Sequence, residues 1–105
     1  GRIDRIINSG AEKIDPKEVE SVLLGSNLIK EVLVVGWPDA EWGERLVAMY
    51  TSSKQVRIDA ELESWVRKNL AAYKCPKSML RVRRLPLGEN GKILRRELRK
   101  LIIHA

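Results

Sequence analysis

One lysine stands out by its setting: Lys92, in the segment PLGENGKILRREL from Pro86 to Leu98. Pro86, Gly88 and the Asn90-Gly91 pair spell a turn, because Gly and Asn accept positive φ and Pro fixes it. Leu94, Leu98, Leu101 and Ile102 then recur at i, i+4, i+7 and i+8, the spacing of an amphipathic helix. Lys92 is therefore expected at a loop-to-helix junction, a long cationic side chain on a firm base. Gly91 beside it lets the backbone come close to a ligand. Such a lysine suits a phosphate or a carboxylate, for which ammonium is a mobile point charge. Taken alone, the segment also reads as an ordinary surface loop whose lysine has no task.

The surroundings favour chemistry. The 105 residues carry a net charge of +6, unevenly placed. Residues 1–73 hold 10 Lys/Arg against 12 Asp/Glu, whereas residues 74–105 hold 10 against only Glu89 and Glu97, a local +8. That asymmetry points to an anionic partner such as nucleic acid, a nucleotide or an acidic protein face. A solvated basic helix face is the alternative. Nucleic acid is the weaker choice, because residues 74–105 contain no Phe, Tyr or Trp to stack on bases.

Composition narrows the classes further. The length suits one domain with a modest core, without a deep substrate cleft of its own. No apolar run approaches the ~20 residues of a membrane helix, and GRIDRIINSG shows no signal-peptide pattern. With one cysteine, Cys75, and one histidine, His104, a disulfide framework, a zinc site and a Cys-His pair are all excluded. A cytoplasmic, metal-free domain is expected, with no membrane partner.

The elements that must position Lys92 are legible in part. Residues 1–14 read as two short extended pieces around Ser9-Gly10. Asp15 then caps a first helix, with Pro16 at its first position, Glu18 completing a capping box and Gly25 as its stop. Glu31 to Trp37 is a β-branched run suited to a strand buried on both faces. A loop, Pro38 to Glu44, leads into a second strand, Leu46 to Thr51. Asp59 is expected to cap a second helix with Leu62, Trp65, Val66, Leu70 and Tyr73 on one face, ending before Pro76. Met79 to Leu85 reads as a third strand, and the last helix follows Lys92. The expected fold is α+β: a small central sheet of about three strands plus a short N-terminal β-hairpin, with three helices packed on it.

Three segments now stand in order: GRIDRIINSGAEKIDPKEVE (1–20), VVGWPDAEWGERLVA (34–48) and LAAYKCPKSMLRVRRLPLGENGKILRRELR (70–99). Together they resemble the C-terminal domain of the adenylate-forming superfamily, which holds acyl- and aryl-CoA synthetases, luciferases and peptide-synthetase adenylation domains. The resemblance spans essentially the whole of 1–105. It implies that Lys92 is the adenylation lysine, supported by Gly91. It also implies that Asp4, with Arg2, forms the hinge about which this domain turns against an N-terminal domain of the same enzyme.

After that turn, the resemblance implies, Ser9, Gly10 and Ala11 face CoA pantetheine, with Glu12 and Lys13 as loop support. Trp42, Tyr73 and Lys77 match positions that line the thiol tunnel or hold the CoA nucleotide. Tyr73 is open to a second reading as core, and Lys77 to one as a surface lysine. The implied ligands are ATP with Mg, held mainly by the N-terminal domain, the acyl-adenylate and CoA. The string SGAEKIDPKEVE resembles acyl- or aryl-CoA ligases, such as an o-succinylbenzoate-CoA ligase, more than the alternatives, a peptide-synthetase or luciferase-like relative. By that reading the isolated domain is inactive. Two departures stand out: Ala11 replaces a usual glycine, and Arg5 replaces an acid after Asp4.

Overall fold

The computed structural model describes residues 5–104. Its centre is β4 (Gly43–Thr51), which pairs antiparallel along its full length with β3 (Glu31–Asp39), from Glu31 opposite Thr51 to Asp39 opposite Gly43. On the other edge of β4 lie two strands in succession. β5 (Ser78–Arg81) runs parallel to its middle, and β1 (Ile7–Ser9) touches its start through Ser9 opposite Gly43. β2 (Glu12–Ile14) pairs antiparallel with β1. The class expected from sequence is correct and the strand count is not. The N-terminal hairpin joins the sheet, making it five-stranded.

Alternation along β3 and β4 builds two cores, since successive side chains of a strand face opposite ways. Val32, Val34, Leu46, Ala48 and Tyr50 meet Ile7, Ile14 and two helices, α1 (Pro16–Leu24) and α2 (Asp59–Asn69). Leu33, Val35, Val47 and Met49 meet Leu85 and the Leu98 and Ile102 stripe of α3 (Arg95–Ile103). The β-branched run 32–35 is thus buried on both faces, as its composition required.

Helix α1 begins as read. Asp15 accepts a hydrogen bond from the Lys17 N–H at 2.9 Å, and Pro16 takes the first helical position. Glu18 does not close a capping box; its carboxylate reaches the Lys74 ammonium at 2.9 Å instead. The neighbouring Glu20, buried to 8% exposure, accepts the Val34 N–H at 2.8 Å on the side of β3 that has no strand neighbour among the described residues.

Three boundaries move. The expected loop Pro38 to Glu44 is largely strand, because the Asp39 carboxylate takes the Glu41 and Trp42 N–H groups and Gly43 turns at φ 79°. Asp59 is not the cap of helix α2 but its first residue, after Ile58, its carboxylate taking the Tyr50 hydroxyl at 3.1 Å instead, and the helix stops at Asn69. Tyr73 therefore leaves the helix face and lies in a separate 3₁₀ turn, Ala72–Lys74. The third strand stops at Arg81, whose guanidinium donates to the Val56 carbonyl at 2.9 Å and staples the 52–56 loop.

Candidate functional site

Residues 87–93 close into a tight hairpin around the lysine. Leu87 and Ile93 form an antiparallel bridge. The Gly88 N–H donates to the Lys92 carbonyl at 2.7 Å, and the Leu94 N–H to the Pro86 carbonyl at 2.8 Å. Asn90 (φ 66°) and Gly91 (φ 73°) supply the left-handed backbone that reverses the chain. Lys92 leaves the turn extended, at φ −74° and ψ 134°. Leu87 and Ile93 pack against the α3-side core, so the backbone under Lys92 is fixed while its side chain is exposed. Among the described residues, its ammonium has neither an ion pair nor a hydrogen bond.

The second expected site lies on the β1–β2 hairpin. Ser9 faces Glu12 in register, leaving Gly10 and Ala11 as a two-residue turn. Positive φ at Gly10 (62°) and not at Ala11 is the type II′ pattern, which matches strand twist. The Gly10 N–H donates to the Trp42 carbonyl at 2.7 Å. A methyl group on Gly10 would stand 3.3 Å from the Trp42 ring, so the bare backbone lies flat against the indole. Above the same ring sits the Lys77 ammonium, 4.4 Å from its centroid. Gly10, Trp42 and Lys77, far apart in sequence, thus form one stack. The Asp39 carboxylate that fixes the Trp42 loop is held below its ordinary range by the Trp42 and then the Glu41 backbone N–H groups, with Arg45 and Lys77 adding attraction.

The other expected residues divide. Ser9 is buried behind the turn, and Ala11, Glu12 and Lys13 are exposed along it. Tyr73 is 48% exposed, which removes the core reading, and its ring carries the Lys74 ammonium at 5.7 Å. The Trp42 ring carries a different ammonium, that of Lys77. Asp4 and Arg2 lie outside the described residues.

Sequence reasoning missed Glu44. Its carboxylate accepts the Asn8 N–H at 3.0 Å and pairs with the Arg5 guanidinium, which together hold the acid below its ordinary pKa, Arg5 being the larger cause. Only packing marks it: a methyl group on Gly36 would meet Glu44 Oε2 at 2.8 Å and Ile7 Cγ2 at 2.9 Å.

The two hairpins are anchored in different cores. Ile7 and Ile14 belong to the core under α1 and α2, and Leu87 and Ile93 to the core under α3. Both border a groove of about 230 Å³ along β3, where Arg5 and Ile7 face Ile93 and Arg95 across Gly36 and Trp37. A larger cavity, about 440 Å³, lies between α2 and β5 and reaches Lys77 at its rim. Among the described residues, no cluster of three His, Cys, Asp or Glu side chains could hold a metal ion, and no helix is long and apolar enough to cross a membrane.

Comparison with known proteins adds an independent line. The family described as AMP-binding enzyme C-terminal domain matches residues 18–92. A feruloyl-CoA synthase of Amycolatopsis sp is 43% identical over 100 residues, covering 94% of this chain and 20% of that protein. The solved o-succinylbenzoate CoA synthetase of Bacillus subtilis, bound with its product analogue, superposes with a TM-score of 0.79 at 38% identity, covering 94% of this chain and 20% of that one. ATP-bound MatB from Rhodopseudomonas palustris superposes equally well, with a TM-score of 0.79 at 30% identity over 90% of this chain and 19% of that one. The chain thus spans about a fifth of the length of the relatives it matches.

Proposed function

The chain belongs to the AMP-binding enzyme C-terminal domain family, and from that premise we propose that it is the mobile domain of an ATP-dependent carboxylic acid–CoA ligase. Two half-reactions follow one another. A carboxylate oxygen attacks the α-phosphorus of ATP, pyrophosphate leaves, and an acyl-adenylate remains. The CoA thiol, losing its proton, then attacks the acyl carbon; AMP leaves and the thioester is formed.

Each half-reaction asks for something different, and each hairpin offers one of them. In the first, negative charge gathers around the α-phosphate, and an unpaired ammonium placed there stabilises the transition state. Lys92 is such a group, on a backbone that costs nothing to organise at the moment of reaction. In the second, a thin pantetheine arm must pass close to the chain. Gly10 and Ala11 present little side chain there, and Lys77, parked on Trp42, is a cation for the phosphates of CoA.

The observation that carries this reading is that the two hairpins are anchored in different cores, Ile7 and Ile14 in the one under α1 and α2, Leu87 and Ile93 in the one under α3. One rigid body can present either by turning, with Asp4 and Arg2 as the hinge and the N-terminal domain of the same enzyme holding ATP, Mg and the acid.

The test compares half-reactions in the complete enzyme. Lys92→Ala should abolish pyrophosphate release and spare thioester formation from preformed acyl-adenylate and CoA; Ala11→Leu should do the reverse. The 105-residue chain alone should show no ligase turnover. Variants that leave both half-reactions intact would overturn the assignment.

A further inference from the structure

The β1–β2 hairpin has too little ladder to hold itself. β3 and β4 share nine register pairs, whereas β1 meets β4 at one, Ser9 opposite Gly43. A short two-stranded piece is marginal by itself in water. Something besides the ladder must fix it at the angle that lays Gly10 on Trp42.

Glu44 stands where the missing ladder would be. It follows Gly43 in β4, and its Oε1 accepts the Asn8 N–H at 3.0 Å, making a side-chain rung next to the single backbone pair. Arg5 Nη1 donates to the same oxygen at 3.2 Å, and Arg5 Nη2 contacts Oε2. The carboxylate is 16% exposed while the guanidinium is 67% exposed, so the acid is the buried member of the clasp. Space for it comes from Gly36, where any side chain would strike Glu44 and Ile7 together.

We propose that Glu44 is the positioning residue of the thiol-facing hairpin: acting through Asn8 and Arg5, it fixes β1 to the sheet and so sets Gly10 and Ala11 against Trp42. It touches no reacting atom. The inference rests on the functional reading above, but its structural half stands apart from that reading. The clasp also gives a reason for Arg5, the cation found where the family pattern places a second acid after Asp4. A chain entering from the hinge is gripped at its first turn of sheet, so that rotation of the whole body carries the hairpin with it.

Two measurements test this. In the 105-residue chain, amide hydrogen exchange is followed residue by residue for Glu44→Ala, Glu44→Gln and Arg5→Ala. Losing a charge-assisted bond to a backbone N–H should speed exchange at Asn8 and Gly10 about 10- to 100-fold in Glu44→Ala, with β3–β4 amides unchanged. Glu44→Gln keeps an acceptor for Asn8 and should restore most of the protection; Arg5→Ala should lose a few-fold. In the complete enzyme, Glu44→Ala should slow thioester formation about 10- to 100-fold and leave pyrophosphate release unchanged.

Unchanged exchange at Asn8 and Gly10 in every variant would overturn the clasp. Equal acceleration across β3–β4 would overturn it as well, by reducing Glu44 to a general stabiliser. A loosened hairpin with thioester formation intact would remove the positioning role while leaving the Lys92 assignment standing. If Glu44→Ala does not fold, Arg5→Ala and Glu44→Gln decide by the same criteria.

Discussion

The Lys92 hairpin and the β1–β2 hairpin are both tight turns with a left-handed glycine, yet they are held in different ways. The first closes on itself: Gly88, Lys92, Pro86 and Leu94 exchange backbone hydrogen bonds within nine residues of one another. The second is held from outside, by the Trp42 carbonyl, the Glu44 carboxylate and the buried side chains of Ile7 and Ile14. A site that contributes a charge needs only local backbone and a long side chain. A site that contributes a shape needs several distant segments to agree.

The sharpest way to break the comparison is Lys92→Ala. Removing a preorganised group that meets developing charge costs about 10²–10³ in rate, and the loss should fall on pyrophosphate release alone. A uniform loss in both half-reactions would mean that the two hairpins do not divide the labour.

Next come matched glycine replacements. Gly91→Ala forces a methyl group into φ 73°, and Gly10→Ala into φ 62° with the Trp42 ring 3.3 Å away. Each costs about 1–2 kcal/mol of local strain. Gly91→Ala should slow adenylation about tenfold with Lys92 still present, and Gly10→Ala should slow thioester formation by a similar factor. Crossed results, read by the same two assays, would reverse the assignments.

Trp42→Ala sharpens the second site. An exposed cation–π contact is worth about 0.5–1 kcal/mol, so releasing Lys77 should raise the KM for CoA about two- to fivefold and leave the KM for ATP unchanged.

The smallest expected effect is on pH dependence. Glu44 titrates below its ordinary value of 4.5, so the clasp contributes fully above that value and is lost as pH falls through the lowered one. Chemical shifts of Asn8 and Gly10 should therefore hold steady from pH 7 to about 5 and move together below it, with Glu44→Gln flat throughout.

The same contrast explains how far the sequence could be read. The turn that carries Lys92 was legible because Asn90, Gly91 and the leucine stripe are neighbours in the chain, and the turn chemistry is local. The family resemblance supplied Gly10, Trp42 and Lys77, but no pattern in the residues shows that Lys77 lies over Trp42 or that Trp42 lies over Gly10. That stack depends on the three-residue turn from Asp39 to Gly43, which an Asp side chain tightened beyond the expected loop. Tyr73 was misplaced for a related reason. The apolar spacing continued past Asn69, but the helix did not, and Pro76 constrained only where it had to end. Glu44 escaped notice because a glutamate beside a glycine carries no periodicity; only the packing against Gly36 marks it.

Among the described residues, β3 is the outer strand of the sheet, with no strand along its free side. The Glu20 carboxylate already occupies the Val34 N–H, and period two places Pro38, which has no N–H, on the same side. Outer strands with free donors recruit strands from other molecules, and charge and proline are the usual protection. Glu20 and Pro38 thus make β3 a poor template for intermolecular sheet growth.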